Sequence, residues 1–187
     1  MKKFISLICA LFIPIAAHCA ESYNPMFGAE HRNALSLHVA QGTGNGSLTK
    51  LINPFEWEFS SMTSVMLQYS QPMEIMRLPA RMNVTYVQNI AYGHDTHLGF
   101  WGVGLSWDVA LINWCGYYLG GGIGPYMRDA GDDYVSSRLV FGEKVFIGIP
   151  VADNMRVEFF TMHFSNGDFT DVNLGFNFTG LSFHYSF

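Results

Sequence analysis

The chain has 187 residues, of which 49% are hydrophobic, 16% aromatic and 13% charged, with a net charge of -5. That length is the size of one domain, and the charged share is about half the quarter that soluble domains usually carry. The acidic balance leaves no basic face for nucleic acid, which speaks against that class of partner.

The N-terminus reads as an export signal. Met1-Lys2-Lys3 is a positive start, Phe4 to Ala17 is a short apolar run, and Ala16, Ala17 and Ala20 supply the small residues of a cleavage site at about residue 17–20. This divides the chain into a signal peptide, residues 1–20, and one domain, residues 21–187. His18 stands directly before Cys19, where lipoprotein processing normally needs a small residue. Cys9 and Cys19 leave with the signal, so Cys115 is the one thiol that remains and no internal disulfide is expected. Beyond the signal there is no run of 18 apolar residues, hence no expected transmembrane helix. An exported, aromatic-rich, charge-poor chain of this kind points to an outer-membrane β-barrel, with a periplasmic or secreted β-sandwich as the competing fold.

Residues 21–32, with Asn, Pro, Gly and charge, read as a loose periplasmic lead-in. Leu35, Leu37 and Val39 alternate with Ser36, His38 and Ala40, the period-2 pattern of a first strand. Gln41 to Ser47 is a Gly/Asn turn cluster. A second strand is expected within Phe55 to Gln71, a turn region over Pro72 to Arg81, and a third strand through Val84, Tyr86, Ile90 and Tyr92. The fourth is the clearest: Trp101, Val103, Leu105, Trp107, Val109 and Leu111 share one parity, with Gly102, Gly104, Ser106 and Asp108 between them. A sandwich would put long charged side chains on its polar face, whereas Gly and Ser suit a narrow barrel lumen. A fifth strand is expected over Trp114 to Pro125, a charged loop over Arg128 to Asp133, and a sixth strand over Tyr134 to Ile149. Pro150 to Asn154 reads as a tight turn, Met155 to Ser165 as a seventh strand, and Gly175 to Phe187 as an eighth with Leu181, Phe183, Tyr185 and Phe187 on one face. Arg156 and Glu158 share the lumen parity and could pair there. The fold class expected is all-β, an eight-stranded antiparallel transmembrane barrel of the bacterial outer membrane, with both termini periplasmic. The alternating aromatic C-terminus is similar to the assembly signal of outer-membrane proteins.

The stretch Thr161-Met162-His163-Phe164-Ser165-Asn166-Gly167 is where chemistry concentrates. His163 and Ser165 lie two apart, so on a strand both side chains leave one face. A nucleophile and its base can meet there when a third group orients the histidine. Parity sets the pair on the lipid-facing side and topology sets the end of the seventh strand near the outer surface, at the level of the lipopolysaccharide leaflet. The plainer reading makes the two residues part of a polar interfacial girdle.

His163-Phe164-Ser165-Asn166-Gly167, then Asn173-Leu174-Gly175-Phe176-Asn177 and an aromatic last strand, resembles the PagL family of lipid A 3-O-deacylases. Gly120-Gly121-Gly122-Ile123-Gly124 and the segment around Phe141-Gly142-Glu143 are similar to that family's fifth and sixth strands, so the likeness runs over residues 115–187. The resemblance implies an ester hydrolase that releases the primary acyl chain at the 3-position of lipid A in the outer leaflet, with Ser165 as nucleophile and His163 as general base. It implies an oxyanion hole from Asn166 and the Gly167 N–H, a supporting Asn173, and no metal or cofactor. The family's acidic triad position falls on Asn177, which can accept a hydrogen bond from the histidine but brings no charge. Asp171, and behind it Asp168, are the alternative acids. The alternative function is a non-enzymatic or inactive small barrel serving adhesion or envelope integrity. A homodimer stays open.

Other candidates are weaker. His94 and His97 lie in a turn, where solvated histidines outnumber metal ligands. Gly42-Thr43-Gly44-Asn45-Gly46 lacks the lysine and following helix of a phosphate loop. Arg128, Arg138 and Lys144 could meet lipid A phosphates or belong to loops and lumen.

Overall fold

The computed structural model describes residues 24–27, 32–44, 53–93 and 98–187. The expected signal peptide, His94, His97, Asn45 and Gly46 lie outside these residues. Eight strands follow one another around a closed antiparallel barrel: β1 (Ala34–Gly42), β2 (Met62–Ile75), β3 (Leu78–Ala91), β4 (Phe100–Trp114), β5 (Tyr117–Arg128), β6 (Leu139–Ala152), β7 (Met155–Ser165) and β8 (Phe176–Ser186). β8 closes on β1, with Leu35 opposite Tyr185 and Leu37 opposite Phe183. Closure leaves no unpaired strand edge, the condition for crossing a bilayer with sheet.

The alternation decides which way each side chain points. Trp101, Val103 and Leu105 of β4 are exposed on the outer wall while Gly102, Gly104 and Ser106 are buried within. The lumen holds a dense ionic network. Arg81 grips Glu158 with both terminal nitrogens, at 2.8 and 2.9 Å, and Asp108 through Nε at 2.8 Å. Lys144 reaches the same Asp108 oxygen at 2.7 Å, and the Tyr118 hydroxyl donates to Glu158 at 2.8 Å. His184 completes the set against Glu158 at 3.0 Å and Ser36 at 2.5 Å. Buried charges persist when each finds partners, so this interior is a packed polar core. Towards the end with the longer connections it becomes aromatic, with Phe100, Tyr126, Phe164, Phe176 and Phe178 in mutual ring contact.

Strand ends differ from the sequence expectation where the wall is longer than the pattern suggests. Pro72 and Pro79 both lie in strands, opposite Arg81 and Glu74, and the turn between them is Met76-Arg77 alone. Both turn residues have positive φ, 52° and 67°, the twisted geometry a two-residue hairpin needs. Pro150 likewise stays in β6 through a bulge that ends at Ala152. β2 starts later than expected, because Pro54–Glu56 forms a short 3₁₀ turn. The described part of the lead-in, residues 24–27, is not loose: Met26 and Phe27 are buried, the Asn24 side chain donates to the Ala80 carbonyl at 2.7 Å, and Arg156 donates to the Pro25 carbonyl at 3.0 Å. Two apolar side chains thus close the end of the lumen at the tight turns, and Arg156 is anchored by carbonyls there. By the usual division of short turns and longer loops, that end is the periplasmic one.

Candidate active site

β7 begins as ordinary barrel wall, with Met155 and Phe159 exposed on the outside. The same parity continues through Thr161, His163 and Ser165, yet these three are only 7%, 6% and 8% exposed. They keep the outward parity of the wall although they are buried. The connection between β1 and β2 reaches this face, where Trp57 packs on Phe159 with ring centroids 6.4 Å apart.

The register gives His163 two direct neighbours, Asn177 on β8 and Glu143 on β6. Asn177 Oδ1 lies 2.7 Å from His163 Nδ1. An amide oxygen can only accept, so Nδ1 carries the proton and Nε2 is left as a base. The placement of Asn177 is itself fixed, since its carbonyl accepts from the Thr43 N–H at 2.7 Å and its N–H donates to the Gly44 carbonyl at 3.0 Å. The cluster Gly42-Thr43-Gly44 therefore ends as an extension of the ladder that holds Asn177. Gly175 supplies the floor under the imidazole. A Cβ there would sit 2.4 Å from His163 Cε1, and its φ of +72° is one that glycine accepts and other residues resist.

Ser165 ends β7 opposite Phe141, which meets Phe169 of the next loop edge-on at 5.8 Å. The chain then turns sharply, with Gly167 and Asp168 at φ 64° and 62°. Asn166 organises that turn. Its Nδ2 donates to Thr170 Oγ1 and to the Val172 carbonyl, its Oδ1 accepts from the Asp168 N–H at 2.9 Å, and its own N–H donates to Asn173 Oδ1 at 2.9 Å. Asn173 in turn donates to Asp168 at 2.8 Å. The loop is pinned sideways as well, because Ser136 and Tyr134 of the β5–β6 loop bond to Val172 and Leu174.

This settles several open placements. Asn177, rather than exposed Asp171 or the Asn173-bound Asp168, lies against His163. The Asn166 side chain, which the resemblance assigns to an oxyanion hole, donates to Thr170 Oγ1 and the Val172 carbonyl and so shapes the turn at Gly167. Asn173 bears on the site through the Asn166 backbone. Arg128 and Lys144 belong to the interior, the first bound to Asp132 and the carbonyls of Val135 and Ser137, the second to Asp108. Arg138 is exposed at the rim. Glu143, beside His163, was not singled out by the sequence reading. A signal for it exists, because it interrupts the apolar outward run Val145, Ile147, Ile149 of its strand.

A closed eight-stranded barrel with an ionic lumen, an apolar wall and a His/Ser pair of outward parity defines a small barrel of the outer-membrane kind. Sequence comparison narrows the class: the lipid A 3-O-deacylase (PagL) family matches residues 80–186, and the chain belongs to that family. Among solved structures, the outer membrane enzyme PagL superposes with a TM-score of 0.56 at 13% identity, over 83% of this chain and 99% of that one. Neisserial surface protein A gives 0.53 at 13% identity, over 83% and 95%. The outer membrane protein Ail of Yersinia pestis gives 0.47 at 13% identity, over 83% and 100%. At such identity the first two likenesses establish the barrel fold alone. No curated protein sequence matches the chain.

Proposed function

We propose that the protein is an ester hydrolase of the outer membrane that removes the primary acyl chain at the 3-position of lipid A. The observation that carries this reading is the outward, buried Ser165 and His163 at one end of β7, with His163 Nδ1 held by Asn177, inside the family-matched stretch. Ser165 Oγ attacks the ester carbonyl as His163 Nε2 takes its proton, and the carbonyl oxygen becomes an oxyanion. The Gly167 N–H, aimed by the Asn166–Asn173 turn, is the donor for that charge. Collapse breaks the ester bond, and His163 returns the proton to the departing sugar 3-oxygen. Water then attacks the acyl-serine by the same route and releases the fatty acid. Phe141 and Phe169 give the acyl chain an apolar surface beside Ser165.

Lipid A mass spectrometry after expression in a host without such an enzyme tests this. One primary acyl chain should be lost with the native chain and retained with Ser165→Ala; unchanged lipid A in both would overturn the reading. A second reading, a barrel without turnover, draws on the uncharged Asn177 in the acid position. Covalent labelling of Ser165 by a fluorophosphonate ester separates the two, since an inert barrel does not react. Residues 1–20 are read as a cleaved signal, and N-terminal sequencing of the membrane-inserted protein should begin near Glu21.

A further inference from the structure

The outer wall is almost without charge. Among the described strand residues of outward parity, Glu143 is the one carboxylate and His163 the one histidine, and no lysine or arginine shares that parity. The other carboxylates within the strands, Asp108 and Glu158, face the lumen and are paired there, as are Arg81 and Lys144; Glu74 sits at the rim. The outward carboxylate and the outward histidine are not scattered: Glu143 and His163 are direct register partners across β6 and β7. Such partners have Cβ atoms about 4.5–5.5 Å apart. An ionisable side chain on a lipid-facing surface is costly, and its persistence marks function. Glu143 is half-buried, and its Oε2 is buried with no hydrogen-bond partner.

We infer that Glu143 is the electrostatic partner of His163, supplying from β6 the negative charge that the family's acid position on β8 lacks at Asn177. The work of one acid is then divided between two strands. Asn177 fixes the tautomer through its 2.7 Å bond to Nδ1. Glu143 stabilises the imidazolium that forms when Ser165 loses its proton. No proton passes to Glu143; it stays a carboxylate while the proton moves from Ser165 Oγ to His163 Nε2 and on to the leaving oxygen. Glu143 is thus a positioning residue that acts through His163. The groups facing the pair support this division: Ile123 of β5, Phe141 and Val145 of β6, Thr161 and Ser165 of β7, and Asn177 and Thr179 of β8 carry no charge. At this separation in a partly desolvated site, one charge is worth about 10²-fold in rate.

This inference rests on Ser165 and His163 being the reactive pair, so its test reads Ser165 directly as well as lipid A. Second-order labelling rates with a fluorophosphonate ester, and lipid A deacylation in mixed micelles, are measured for the native chain, Glu143→Gln, Asn177→Asp and the double variant. Glu143→Gln should slow both reactions about 10²-fold, and Asn177→Asp in the same chain should restore them to within about tenfold. Barrel stability, followed by heat-dependent gel mobility, should be unchanged or higher in Glu143→Gln, since a charge leaves the lipid-facing wall. A merely structural role would lower it. Native labelling rates in Glu143→Gln, or a double variant no faster than Glu143→Gln, would overturn the inference while leaving the hydrolase reading intact. Labelling without deacylation would instead overturn lipid A as substrate and leave Glu143 judged by the probe. A native chain that does neither overturns both.

Discussion

The lumen and the outer wall use polar residues in opposite ways. Inside, Arg81, Asp108, Lys144, Glu158 and His184 satisfy one another with bonds of 2.7–3.0 Å, and the unpaired atoms of His38, Ser64 and Asn89 are sealed in the interior away from any lipid. On the wall, Glu143 Oε2 and Asn177 Nδ2 are buried without partners beside His163. Closed networks hold a fold together, whereas open polar valence at a surface is what a substrate can complete.

Four substitutions break or sharpen this contrast. Ser165→Ala should lower deacylation by ~10⁴-fold or more with the barrel's unfolding midpoint unchanged; intact-mass lipid A spectra and a denaturant titration give the two numbers. Arg81→Ala does the reverse. It leaves Asp108 and Glu158 short of a cation and should cost about 3–5 kcal/mol of stability, read by guanidinium unfolding in micelles, while each folded molecule still labels with fluorophosphonate. Gly175→Ala pushes a methyl into the His163 ring and should cost roughly 10²-fold in turnover; equal loss of Ser165 labelling would locate the damage at the base. Asn177→Asp has the smallest effect. With Glu143 already charging the site, turnover should rise by less than about tenfold, far below the ~10⁴ that separates Asp from Asn in a triad with no other carboxylate. A gain of that larger size would show that the wall has no second charge at work.

Much of the fold could be read directly, because a barrel writes its two solvents into the chain at period two. Trp101 to Val109 against Gly102 to Asp108 is enough to orient β4, and Met155 to Ser165 gives β7 with its bounds. The orientation of His163 and Ser165 came from the same parity. Errors gathered where local composition and wall geometry disagree. Pro72, Pro79 and Pro150 look like turns, but at a barrel rim proline loses little ladder bonding, so the strands continue through them. Met26 and Phe27 sit among turn-forming residues, and their burial depends on a lumen mouth that other strands create. Glu143 was hidden for a related reason. Its strand could be read, but the register that sets it across from His163 is fixed by the Asp153-Asn154 turn and the bulge after Pro150. A slip of one residue would have turned it to the lumen.

The outward parity of Ser165 also sets the dimensionality of the proposed reaction. Under the proposed hydrolysis, with the lumen filled by side chains and its lower mouth closed by Met26 and Phe27, a lipid would reach Ser165 by sliding along the leaflet, and the fatty acid and the trimmed lipid would leave in the same plane. Collision frequency is then governed by how many lipid A molecules share the surface and not by how many share the volume. Diluting lipid A with inert lipid at constant total concentration slows such an enzyme, whereas diluting the whole suspension with buffer does not.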